Sequence, residues 1–194
     1  MVIDRTKYMN IDEIKQLRTV TEAKAIVDLR EGRIAGPLGW MVVDLALATG
    51  LRVSELAAIQ VKDIDLRRGF VKVHRLKRKK KVVDSLAISP DMIKHLKEYL
   101  EDRTDGKLFI GERGNLTRYG LQQIWKSAVK RAGLPKELSI HSARHSMAVH
   151  LLKKTGNLRQ VQKQLGHASP ATTANMYADI SFEDMQNGVT GLYQ

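Results

Sequence analysis

Residues 140–145 read Ile-His-Ser-Ala-Arg-His and stand just ahead of an apolar-periodic run at Met147, Val149, Leu151 and Leu152. That run predicts a helix over about 141–155, closed by Gly156. On it His141 and Arg144 are three apart, so an imidazole and a guanidinium project from one face. Both groups donate hydrogen bonds, arginine as a planar fork, and the pair suits a phosphate. The plainer alternative is a solvated histidine and arginine on a surface turn. The rest of the chain decides between them.

Outward from this stretch, a helix over about 158–165 ends at Gly166, another runs from Pro170 to about Ala178, and a last one starts at Ser181. At the other end, Asn10-Ile-Asp-Glu13 has the form of a capping box, with Ile11, Ile14 and Leu17 at helical spacing behind it. A separate helix is predicted over Thr21 to Leu29, then a loop at Gly32 and Gly36-Pro37. Trp40, Val43, Leu45, Leu47 and Ala48 make a largely buried helix that Gly50 terminates in the left-handed conformation. Arg52 to Ala58 is a short helix with Arg52 and Glu55 on one face.

From Gln60 the period changes to two. Phe70–His74 and Val82–Ile88 are strand-like, and the basic run between them fits a hairpin turn. Ser89-Pro90 is an N-cap with proline at the first helical position, opening a helix to about Arg103. Leu108-Phe109-Ile110 is a short third strand, and Thr117 to Ala132 is amphipathic through Leu121, Ile124, Trp125 and Val129. No linker or internal repeat divides the chain. The expected fold is α+β: a mainly helical single domain, residues 1–194, with a small antiparallel three-stranded sheet.

With 194 residues and 43% hydrophobic content, the chain has enough apolar surface for a sizeable core. Its net charge of +12 points to a polyanionic partner, either nucleic acid or an anionic membrane surface. It contains no cysteine, which excludes disulfides, thiol catalysis and cysteine-ligated metal. Residues 1–8 are polar and charged, unlike a signal peptide. The most apolar stretch, Leu38 to Leu51, is interrupted by Asp44 and too short for a bilayer. The expectation is a cytoplasmic, nucleoid-associated protein with no membrane partner.

Between Arg67 and Lys81, nine of fifteen positions are Lys or Arg, with no acid among them. Such a run repels itself unless a polyanion neutralises it, and each phosphate contact adds salt-dependent affinity. The alternative is a flexible solvated loop. Aromatics make up only 5% of the chain, too few for a base-stacking single-strand platform, so double-stranded DNA is the better match.

Four stretches then fall into one order: Ala-Thr-Gly-Leu-Arg-Val-Ser-Glu-Leu at 48–56, His-Ser-Ala-Arg-His at 141–145, Leu-Gly-His at 165–167 and Thr-Thr-Ala-Asn-Met-Tyr at 172–177. Together they closely resemble the catalytic domain of the tyrosine recombinases, the phage-integrase family, from about Asn10 to the C-terminus. The resemblance implies that Tyr177 attacks a DNA phosphodiester to form a 3′-phosphotyrosyl link, which a 5′-hydroxyl later reverses without ATP. It implies that Arg52 and Arg144 stabilise charge on the non-bridging oxygens. His141 and His167 add hydrogen bonds, and either helps to move the tyrosine proton. A hairpin lysine is the implied general acid: Lys77 is the first choice and Lys79 the second. Glu55 matches an acidic residue that supports the site, with a helix-surface acid as the alternative. No metal or cofactor is implied, and the implied assembly is a homo-oligomer, a tetramer on DNA.

Two features depart from the family's pattern. Ala143 stands where a larger apolar residue is usual, and the N-terminal DNA-binding domain is absent, as in an excised fragment or a naturally short recombinase. The tail after Tyr177 resembles the helix with which members contact a neighbouring protomer; the alternative is a helix folded back on its own core. Two other functions remain open: a DNA-binding protein without turnover, and a relaxing enzyme of the type IB topoisomerase kind.

Overall fold

The computed structural model describes residues 7–77 and 80–166, and at 76, 77, 80 and 81 the backbone alone. Helix α1 spans Ile11–Arg30 and α2 spans Ala35–Thr49; α3 follows over Val53–Ala58. A short 3-10 turn at Val61–Asp63 leads into strands β1 (Ile64–Asp65), β2 (Phe70–Lys77) and β3 (Lys80–Ala87). Then come α4 (Pro90–Leu100), β4 (Ile110–Gly111), β5 (Gly114–Asn115), α5 (Arg118–Arg131), α6 (Ile140–Thr155) and α7 (Leu158–Leu165). The mainly helical α+β architecture with a small antiparallel sheet is therefore as expected.

Helix α2 is the spine, because its apolar residues leave it no polar face. Met41, Val42, Val43, Leu45 and Ala46 are all fully buried, and α1, α4, α5 and α6 pack around it. Its one buried acid, Asp44, ties these layers together: Arg18 of α1 lies 2.7 Å from Oδ1 and His95 of α4 lies 2.6 Å from Oδ2. Below the spine, Trp125 of α5 is fully buried and its indole N–H donates to the Leu138 carbonyl at 2.9 Å. Ala143 is 1% exposed, so the small residue there is a matter of tight packing.

Helices α6 and α7 clamp together through a second, smaller core of Ala148, Val161 and Leu165. Burying Val161 and Leu165 contributes roughly 1.5–3 kcal/mol each and holds the end of α7 in place. The segment before α1 is also pinned to α6: Met9 N–H donates to Ser146 Oγ at 2.8 Å, and Met9 O lies 2.9 Å from His150 Nε2.

Two expectations are corrected. The first two predicted helices are one, Ile11–Arg30, since no glycine or proline breaks the chain between Leu17 and Thr21. The third strand of the sheet is Ile64–Asp65, paired with Val71 and Phe70, and not Leu108–Ile110. Leu108 and Phe109 are buried alongside the end of α3, with Leu108 N–H donating to Ile59 O at 3.0 Å. Ile110 and Gly111 instead turn back on Gly114 and Asn115 as a separate two-stranded ribbon. The segment's apolar character reflected burial rather than sheet pairing. The hairpin strands also extend further into the basic run than expected, with Lys77 paired to Lys80. The helices predicted from Pro170 and from Ser181 lie outside the described residues.

Candidate active site

The site forms where three chain turns meet. At the first, α2 ends on Gly50 with φ of 62°, a left-handed residue whose Cβ would come within 2.5 Å of Met147 Cε. This reversal places Arg52 at the N-cap of α3. Glu55, three residues on, accepts from the Arg52 backbone N–H at 2.9 Å and from Arg52 Nη1 at 3.0 Å. The carboxylate is buried, whereas the Arg52 side chain is 46% exposed. Glu55 thus holds Arg52 at its backbone N–H and at its guanidinium, with the side chain still partly open to solvent.

The second turn is the start of α6. Arg144 is 7% exposed. Its Nη1 donates to Gly50 O and its Nη2 to Leu165 O, both at 2.8 Å. One planar guanidinium therefore bridges the end of α2 and the end of α7. His141, one turn earlier, is exposed. The histidine and arginine that the spacing puts on one face differ in depth, the imidazole at the surface and the guanidinium beneath it. His145 is half-buried, and burial pushes its imidazole below the ordinary range, with positive Arg144, His141 and Lys7 adding to the effect.

The third turn is the C-terminus of α7, which closes on Gly166 with φ of 63°. Its last carbonyls carry the negative end of the helix dipole and attract cations. Arg144 takes Leu165 O, and a further guanidinium, Arg75 of β2, donates to Gln164 O at 3.4 Å. The Arg75 side chain is 2% exposed; its Nε lies 3.6 Å from Glu55 Oε1 and its Nη1 3.4 Å from Asp84 Oδ2. A Cβ at residue 166 would sit 0.9 Å from Arg75 Nη1, so any larger residue there would have to displace the Arg75 guanidinium. Burial pushes the Arg75 guanidinium below its ordinary range; Glu55 and Asp84 oppose this and Arg52 reinforces it.

The fold thus brings Arg52, Glu55, His141 and Arg144 to one region. Lys77 is the last residue of β2, two beyond Arg75, and its side chain is outside the description, as are Lys79, His167 and Tyr177 entirely. Sequence reading treated Arg75 as one more charge in the basic run. The signal that could have separated it was the strand period, because Val71, Val73 and Arg75 alternate as buried residues with exposed Lys72 and His74. Among the described residues no group of three or more His, Cys, Asp or Glu is placed to hold a metal ion. A groove of about 840 Å³ lined by residues such as Leu29, Trp40, Tyr99 and Arg103 shares no residue with the arginine cluster. Of these groups Arg52 and His141 are exposed, while Arg75 and Arg144 are buried.

Residues 7–184 match the model of the phage integrase family. Among curated proteins, the tyrosine recombinase XerD of Staphylococcus saprophyticus is 33% identical over 180 residues, covering 86% of this chain and 60% of that protein. XerD of Listeria monocytogenes is 30% identical over 178 residues, covering 86% of this chain and 56% of its own length. The chain thus spans about 60% of the length of the curated relatives it matches. Among solved structures, the XerA recombinase superposes with a TM-score of 0.74 at 24% identity, covering 96% of this chain and 65% of that one. A post-cleavage complex of XerH with a palindromic difH substrate gives a TM-score of 0.72 at 20% identity, covering 96% and 53%. These two likenesses establish the fold.

Proposed function

The chain belongs to the phage integrase family, and we propose that it is the strand-cleaving and rejoining domain of a site-specific tyrosine recombinase acting on double-stranded DNA. In this reading the Tyr177 phenol oxygen bonds to the scissile phosphorus and the 5′-oxygen leaves. The product is a 3′-phosphotyrosyl link, and a 5′-hydroxyl later reverses the step, so the bond energy is conserved. Lys77, with Lys79 as the second choice, gives a proton to the departing 5′-oxygen, and His141 or His167 takes the proton from the phenol. Arg52 and Arg144 stabilise the charge that builds on the non-bridging oxygens.

The observation that carries the reading is the bond from Arg144 Nη1 to Gly50 O, across 94 residues of sequence. It ties Arg144 to the turn that carries Arg52, two residues on, and so supports reading the two motifs as one site. The +12 charge and the basic hairpin support a DNA partner. So do the relatives: XerH was solved bound to a difH substrate, and lambda integrase as a dimer on a core site. We further propose that residues 1–194 act as one catalytic domain that assembles as a homo-oligomer, a tetramer, on DNA and associates with the nucleoid. Among the described residues, no helix is long and apolar enough to cross a membrane.

The test is capture of covalent protein–DNA adducts from a nicked duplex library, followed by sequencing of the junctions. Wild-type chain should give adducts at a defined sequence, Tyr177→Phe none, and Arg144→Ala a rate lower by on the order of 10²–10³. Cleavage that survives Tyr177→Phe would show the nucleophile to be wrong. In a binding assay, neutralising residues 77–81 should lower the salt slope by roughly 0.9 per phosphate contact removed; an unchanged slope would remove the hairpin from the DNA interface.

A further inference from the structure

Arg75 belongs to none of the motifs that define the site, yet it lies at its centre. Its side chain is 2% exposed, and its Nε and Nη1 have no hydrogen-bond partner among the described residues. Burying a guanidinium with donors unsatisfied is costly, and a fold retains such a group when its charge does something a neutral residue cannot.

Two contacts indicate what the charge does. Glu55 is shared: it is 3.0 Å from Arg52 Nη1 and 3.6 Å from Arg75 Nε. The end of α7 is shared as well, Arg75 donating to Gln164 O and Arg144 to Leu165 O. Arg75 therefore links Arg52, through Glu55, with Arg144, through the end of α7, and it is itself flanked by Glu55 and Asp84. Without Arg75, Glu55 has Arg52 as its one arginine partner of these two.

We propose that Arg75 is an electrostatic positioning residue of the phosphate site: a buried third cation that divides Glu55 between two arginines, so that Arg52 keeps its charge for the scissile phosphate. It acts through Arg52 and through its field, which a low-dielectric surrounding transmits well. This rests on the recombinase reading for its substrate, while its requirement for a bound anion is independent of that reading.

The experiment compares Arg75→Met and Arg75→Lys with wild type on two duplexes of the captured junction sequence. One carries a normal scissile phosphodiester and the other a methylphosphonate, which lacks the negative charge. Arg75→Met should slow cleavage of the phosphodiester by on the order of 10² but affect the methylphosphonate only a few-fold, and Arg75→Lys should restore most of the rate. Equal losses on both duplexes would make the role purely structural, and faster cleavage by Arg75→Met would make Arg75 a plug; either overturns the proposal.

A second arm titrates inorganic phosphate against the full chain by thermal shift. Arg75→Met should weaken the apparent affinity about tenfold. Asp84→Asn, which removes a counter-charge and covers the case that Arg75→Met does not fold, should strengthen it about threefold. Unchanged affinity in the variants that fold overturns the proposal. Absence of any wild-type adduct would refute the recombinase reading, leaving this arm to decide Arg75.

Discussion

Replacing Glu55 by alanine tests whether the arginine cluster is held by a buried carboxylate or merely decorated by one. The substitution removes the acceptor for the Arg52 N–H at 2.9 Å and for Arg52 Nη1 at 3.0 Å, and it removes the nearer anion from Arg75. Breaking one side of a buried ion pair costs about 3–5 kcal/mol. The lower end applies here, because Arg52 is 46% exposed and can turn to water while Arg75 keeps Asp84 at 3.4 Å. A loss of about 3 kcal/mol, with a urea m-value of about 2–3 kcal/mol/M, moves the unfolding midpoint down by about 1–1.5 M. Glu55→Gln keeps an acceptor but not the charge and should fall about halfway. The assay is urea unfolding by circular dichroism, repeated in about 0.5 M salt, where exposed pairs are screened and buried ones are not. A midpoint shift below about 0.3 M, or one that vanishes in salt, would place Glu55 among surface charges and refute the argument.

Gly166→Ala combines a left-handed φ of 63° with a Cβ 0.9 Å from Arg75 Nη1. It should cost roughly 1–2 kcal/mol in backbone terms and displace Arg75; in a double-mutant cycle its effect on cleavage should largely disappear in the Arg75→Met background. His145 takes a proton less readily in the fold than in the unfolded chain, since burial holds its folded value below the ordinary 6.5. Stability should therefore be full above about pH 6.5 and fall as the pH drops from there toward the folded value, and His145→Asn should flatten that decline in thermal unfolding scans.

Much of this protein was legible in the chain because it depends on local chemistry. Gly50, Gly156 and Gly166 end their helices in the left-handed conformation as their positions imply. Ser89 and Thr117 cap theirs by accepting backbone N–H groups. The motif arginines declared themselves by type and spacing. What the chain alone did not determine is which segment pairs as the third strand: Leu108–Ile110 is wholly apolar and Ile64–Asp65 is not, yet it is Ile64–Asp65 that pairs with β2. Only the short turn that folds Ile64–Asp65 back onto β2, and the burial of Leu108 against Ile59, separate them.

Among the nine basic residues of the hairpin region, the strand alternation marks Arg75 as inward-facing, and the tertiary structure decided what it meets there. A charge run reads the same whether a guanidinium faces water or the core, because composition carries no depth. Depth comes from long-range packing: α7, clamped to α6, brings Gly166 and the Gln164 carbonyl against Arg75 of β2, while Arg144 of α6 takes the Leu165 carbonyl. Sequence thus specified which chemical groups are present, and the meeting of distant elements specified which of them share a charge.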